Sequence, residues 1–112
     1  MLKELQNKYA EEGDERIGFI LDDGTVLELL NSHDDPEFGA KFRSADLYAY
    51  LYDPEREVTV TATWHTHPSA SCNLSGEDYN AFQSHPDLTH YIVGNDGVGK
   101  YTVDATGTVK RD

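Results

Sequence analysis

Two histidines lie one residue apart in the run Trp64-His65-Thr66-His67-Pro68, with Ser75 and Asp78 a short way downstream. Side chains two apart on a strand point to the same face, so His65 and His67 converge while Thr66 points away. Their imidazoles can share one metal ion without distorting the strand. Asp78 falls in the first turn of the next predicted helix, where the returning chain offers a third ligand. Two neutral imidazoles and one carboxylate suit Zn2+, with the fourth tetrahedral position left to water. An open position of that kind marks a catalytic zinc, which lowers the pKa of bound water from about 15.7 towards ~7.

A hydrolase built this way also needs a general base that is not a ligand. Glu15, directly before the apolar run RIGFIL, is the best placed, with Glu11, Glu12 and Glu28 as rivals on spacing alone. Each feature has an ordinary explanation beside the chemical one. A His-x-His pair on a strand is commonly structural or simply at the surface. Ser75-Gly76-Glu77-Asp78 has the form of a capping box, in which Ser75 and the acidic residue three positions on satisfy free N–H groups at a helix start. That accounts for Ser75 and Asp78 without any metal, but not for their following a paired-histidine strand at this distance. His33, His85 and His90 carry no comparable pattern and read as ordinary residues.

The elements that must hold these groups can be placed from pattern. Leu2, Leu5 and Tyr9 recur at helical spacing, predicting an amphipathic helix over 2–12 that Gly13 and Asp14 end. RIGFIL and TVLELL flank Asp23-Gly24, a strong hairpin signal. Residues 31–40 form a polar loop punctuated by Pro36 and Gly39, and Phe42 starts a short extended piece. Ser44 caps a second helix with Leu47, Tyr48, Leu51 and Tyr52 as its apolar stripe and Pro54 as its stop. VTVTATW at 58–64 reads as a strand, and a third helix runs from Ser75 to about Ser84, with His85-Pro86 as its stop. HYIVG, GKYTV and GTVKR follow as three short strands. This order predicts a mixed α/β (α+β) fold in a single compact domain over 1–112.

Composition narrows the function classes. The 112 residues hold 9 Lys plus Arg against 21 Asp plus Glu, a formal net charge of -12. That balance argues against a nucleic-acid phosphate groove and against polybasic attachment to anionic lipid. No apolar run approaches the roughly 20 residues of a membrane-spanning helix. The charged start MLKELQNKYAEEGDE has no stretch of signal-peptide type, and a single cysteine, Cys72, cannot form an intramolecular disulfide. The expected location is the cytoplasm.

The spacing His65-x-His67, seven residues, Ser75, two residues, Asp78 resembles the signature of the JAMM (MPN-plus) metalloproteases at every defined position, and Pro68 agrees. Glu15-Arg16-Ile17-Gly18 is similar to the family's Glu-x-x-Gly segment, which singles Glu15 out from its rivals. The order of predicted elements extends the resemblance over nearly the whole chain. It implies a JAMM/cytidine-deaminase-like mixed sheet flanked by helices, with His65, His67 and Asp78 on Zn2+, Glu15 as proton shuttle and Ser75 stabilising the oxyanion. The reaction implied is hydrolysis of a peptide or isopeptide bond. Where the family often has a cysteine two residues after the glutamate, this chain has Ile17, a change of packing rather than of chemistry.

Within the family, Asn31 through Asp46 resembles the amino-terminal domain of lambda-type phage tail-tip assembly proteins. That likeness implies a peptide or protein substrate, with phage tail proteins or an NlpC-type cell-wall peptidase as partners, and a host-cytoplasm or virion-tail location. The chain is too short for the insertions by which eukaryotic relatives grip ubiquitin. Two other readings stand beside the peptidase: a non-enzymatic tail assembly or scaffold module, and a prokaryotic peptidase processing ubiquitin-like or sulfur-carrier protein tails. Cys72, on the loop between His67 and Asp78, is either a thiolate able to fill the open zinc position or a buried idle thiol.

Overall fold

The hairpin signal at Asp23-Gly24 is realised: β1 (Ile17–Leu21) and β2 (Val26–Leu29) pair antiparallel, and Gly24 takes φ +89° at the turn. The computed structural model describes residues 1–51, 55 and 57–112. The remaining elements in chain order are α1 (Leu2–Gln6), α2 (Ser44–Leu51), β3 (Val60–Thr66), α3 (Gly76–Gln83), β4 (Thr89–Gly94), β5 (Gly97–Val103) and β6 (Val109–Arg111). The six strands form one sheet in the order β2-β1-β3-β4-β5-β6. Among the described residues only β3 and β4 run parallel, and α3 lies in the connection between them. The mixed α/β class and the single compact domain are therefore as predicted.

One side of the sheet buries Trp64, Ile20, Ala62, Tyr91 and Val93 against Leu5 of α1. The other packs Phe19, Leu21 and Val60 against Leu47 of α2 and against Leu88, and Ile92 and Tyr101 against Phe82 of α3. Gly18 makes the first packing possible. A Cβ there would lie 1.7 Å from the Leu27 carbonyl oxygen and 2.6 Å from Trp64 Nε1, which donates to that same oxygen at 2.9 Å.

Three details depart from expectation. The first helix is five residues long rather than reaching residue 12, because the Lys8 carbonyl accepts from the Arg16 guanidinium at 2.9 Å and Tyr9 turns to bond Glu11 and Ser69. So short a helix gains little on its own, and tertiary bonds decide its end. In α2, Leu47 of the predicted stripe packs inward with Tyr50 beside it, while Tyr48 is exposed. Phe42 packs edge-on against Phe19 without joining a strand. Tyr52 and Pro54, the rest of the predicted stripe and its stop, lie outside the described residues, as does the Leu51 side chain. Among the described residues no helix is long and apolar enough to cross a membrane.

Candidate metal centre

β3 ends at Thr66, and His67 stands one residue beyond, held in line by its N–H to the Val93 carbonyl at 2.8 Å. His65 and His67 therefore keep strand geometry and face the same way, with Nε2 atoms 3.2 Å apart. α3 begins with Ser75 as its cap and Asp78 in its first turn, and both halves of the capping box form. Asp78 N–H donates to Ser75 Oγ at 3.1 Å, and Ser75 N–H donates to Asp78 Oδ2 at 3.0 Å. The same carboxylate reaches both imidazoles, with Oδ1 at 3.0 Å from His65 Nε2 and Oδ2 at 3.1 Å from His67 Nε2. The helix cap and the ligand triangle are thus one arrangement rather than alternatives.

The donor set fits zinc on two counts. Ligand atoms at zinc-bond distances of about 2.0–2.1 Å form a tetrahedron with edges of about 3.3 Å, close to the 3.2 Å between the two Nε2 atoms and to the 3.0 and 3.1 Å by which these approach one Asp78 oxygen each. The second count is the tautomer. His67 Nδ1 lies 2.9 Å from the Ser71 carbonyl oxygen, which can only accept, so Nδ1 carries the hydrogen. A neutral His67 then turns an Nε2 lone pair towards the Asp78 carboxylate and towards His65. Such a cluster is reconciled by a proton or by a cation, and a divalent metal takes all three donors at once. Without metal, burial opposes charge on His67, but Asp78 and the Ser71 carbonyl outweigh it and raise its pKa. Burial likewise pushes Asp78 up, and the two imidazoles overcome this and hold it well below the usual carboxylate range.

Glu15 arrives from the other side. It is 8% exposed, and its carboxylate lies within 4.8 Å of the donor nitrogens of both histidines. Among the described residues that carboxylate makes no hydrogen bond, which leaves its lone pairs available. Burial raises its pKa, only partly offset by the two histidines. A carboxylate so placed is suited to accept a proton. Its backbone is fixed on three sides: Glu15 N–H to the Pro36 carbonyl at 2.7 Å, Asn31 Nδ2 to the Glu15 carbonyl at 2.9 Å, and Arg16 N–H to Thr66 Oγ1 at 2.9 Å. Of its rivals, Glu28 is engaged at both oxygens by Arg16, and Glu11 and Glu12 are exposed.

The five predicted residues therefore come together: His65, His67 and Asp78 as a triangle, with Glu15 and Ser75 lining the same cleft of about 220 Å³. The residues that position them carry no motif. His33, an ordinary residue by sequence, accepts the Asp35 N–H at Nδ1, so its Nε2 carries the hydrogen that binds Glu77 Oε1 at 2.5 Å. Its ring lies over Gly39, where a Cβ would come within 2.4 Å. The 31–40 loop, which holds Glu15, is by this contact fastened to the helix that carries Asp78. His33 lies far from α3 in sequence, and only the polar, turn-rich composition of its loop hinted at a built structure.

Cys72 is the buried thiol of the two readings, not a zinc-blocking one. It is 1% exposed in the cluster with Phe82, Ile92 and Tyr101, its Sγ is 3.0 Å from an Arg111 nitrogen, and burial raises its pKa. His90 is also a core residue, with Nδ1 at 2.7 Å from Thr63 Oγ1 and Nε2 at 3.0 Å from the His85 carbonyl. Burial pushes it down to about 4, so it is neutral at pH 7.

No known protein-family pattern matches the chain, and no curated protein matches it. Among solved structures it is similar to the solution structure of protein DSY2949 from Desulfitobacterium hafniense, with a TM-score of 0.69 and 19% identity. The match covers 98% of this chain and 83% of that one. At that identity the likeness shows the fold alone.

Proposed function

We propose that this chain is a zinc-dependent metallopeptidase hydrolysing a peptide or isopeptide bond. The observation that carries the proposal is the convergence of His65, His67 and Asp78 at 3.0–3.2 Å beside Glu15, a residue 8% exposed whose carboxylate makes no hydrogen bond among the described residues. The JAMM (MPN-plus) resemblance of the motif supports the same assignment. Zinc bound by those three residues would supply Lewis acidity and a water acidified into the neutral range. Glu15 takes the proton of the attacking water and delivers it to the leaving amine. The Ser75 hydroxyl accepts the Asp78 N–H and keeps its own hydrogen for donation to the oxyanion of the tetrahedral carbon. The substrate is a peptide or protein, and tail proteins or a cell-wall peptidase are the partners that the phage-like resemblance adds.

A non-enzymatic scaffold is the competing reading, and the complete capping box favours it to the extent that Ser75 and Asp78 have a structural task. The two are separated by incubating zinc-loaded protein with a mixed peptide library and with isopeptide-linked substrates. Cleavage of either, abolished by a chelator and restored by zinc, is expected. Intact substrates after verified zinc loading would overturn the peptidase assignment.

A further inference from the structure

A second cleft, of about 250 Å³, opens on the other side of the metal triangle and shares His65, Glu77 and Asp78 with it or with the cleft of Glu15. Its apolar wall is built from Ile17, Phe42, Ala81 and Phe82. The polar groups beneath are spent on one another. Thr63 donates to His90 Nδ1, His90 Nε2–H donates to the His85 carbonyl, and the His90 ring stacks on Phe82 at 4.3 Å and 9°. His85 rests its ring against Phe42 at 5.4 Å, and burial lowers its pKa, which keeps it uncharged at neutral pH. Of the charged members of the lining, Lys41 and Glu77 are exposed, and Asp78 is engaged by His65 and His67. Glu77 is held by His33.

We propose that this cleft receives the apolar side chain of the substrate residue adjoining the bond to be cut, an inference that rests on the peptidase reading. Three observations fix the occupant. The volume lies below the roughly 300–1,000 Å³ of small-molecule sites and suits a single side chain. The cleft is continuous with the metal ligands, so a chain whose amide lies at His65 and Asp78 carries its neighbouring side chain into it. The base of the cleft has its Thr63 and His90 hydrogen bonds already made, so a polar or charged occupant would lose its water without replacement there.

The test uses N-acetyl-leucinamide, N-acetyl-phenylalaninamide and the glutamate analogue as probes of the intact protein, followed by amide NMR shifts. The two apolar probes should shift Thr63, Ala81 and Ser84, and the glutamate probe should not. Ala81→Leu, at an exposed position of α3 on the wall of the cleft, should weaken apolar binding at least ~10-fold while zinc content is unchanged. No shift, equal binding of the glutamate probe, or binding untouched by Ala81→Leu would each overturn the proposal. Failure of the peptidase reading shows separately: apolar probes that bind as stated to a protein without zinc or hydrolysis would leave an apolar site but no peptidase. Hydrolysis with no apolar preference at the cut, unchanged in Ala81→Leu, would overturn the cleft assignment alone.

Discussion

Thr66 Oγ1 accepts the Arg16 N–H at 2.9 Å, and the Thr66 N–H donates to the Arg16 carbonyl at the same distance. The residue between the two histidines thus turns away from the metal triangle and clamps the segment that presents Glu15. Strand alternation makes both possible: His65 and His67 face Asp78, and Thr66 between them sets their distance from Glu15. Thr66→Val keeps the shape and removes the acceptor. The lost bond should cost about 1–3 kcal/mol, because the Arg16 amide is partly buried. It should lower kcat ~10-fold or more at unchanged zinc content. Urea unfolding and steady-state kinetics check the two parts, and an unaltered kcat would show that the clamp is not needed for catalysis.

Glu15→Gln separates ligand from base. Glu15 lies within reach of both histidine nitrogens without bonding either, whereas Asp78 bonds both. The variant should therefore retain zinc and lose ~10²–10⁴-fold in hydrolysis. Loss of the metal itself would make Glu15 a fourth ligand and remove it as the proton carrier.

Much of this site was legible because strand alternation and helix capping are local rules. His65 with His67, and Ser75 with Asp78, each lie within four residues of one another, and the topology needed only to bring the two pairs together. Glu15 was named from sequence, but its fixing by Asn31, Pro36 and Thr66 was not, since those bonds depend on how a turn-rich loop closes over β1. The first helix was overestimated for a related reason. Periodicity over Leu2, Leu5 and Tyr9 is real, yet only Leu5 is buried, and tertiary bonds to Lys8 and Tyr9 draw the chain away.

Gly18 illustrates a motif position whose reason is packing. Any side chain there meets the Leu27 carbonyl at 1.7 Å and the Trp64 indole at 2.6–2.7 Å. Gly18→Ala should destabilise the fold by more than about 3 kcal/mol, the upper end for overpacking, because a backbone oxygen must move. Chemical denaturation measures it, and a loss below ~1 kcal/mol would mean that the indole swings aside freely.

His90 sets a pH dependence. Its folded pKa, about 4, lies below the ordinary 6.5, so between those values the unfolded chain binds a proton that the folded one does not. Stability from this group is complete above about pH 6.5 and is lost as pH falls towards 4, by up to about 3 kcal/mol. NMR titration of the ring should show it neutral down to about pH 4. A midpoint near 6.5 would contradict the burial and bonding described here.

The Asp78 carboxylate that caps α3 is also the one placed to hold a metal with His65 and His67. Zinc content by elemental analysis and zinc affinity by calorimetry, on the parent protein, Asp78→Ala and Ser75→Ala, test it most directly. One zinc per chain is expected in the parent, at least ~100-fold weaker binding in Asp78→Ala, and zinc retained in Ser75→Ala, which breaks the cap but leaves the ligands. Absence of zinc from all three after reconstitution, or equal loss in the two variants, would contradict it and leave Asp78 as a helix cap.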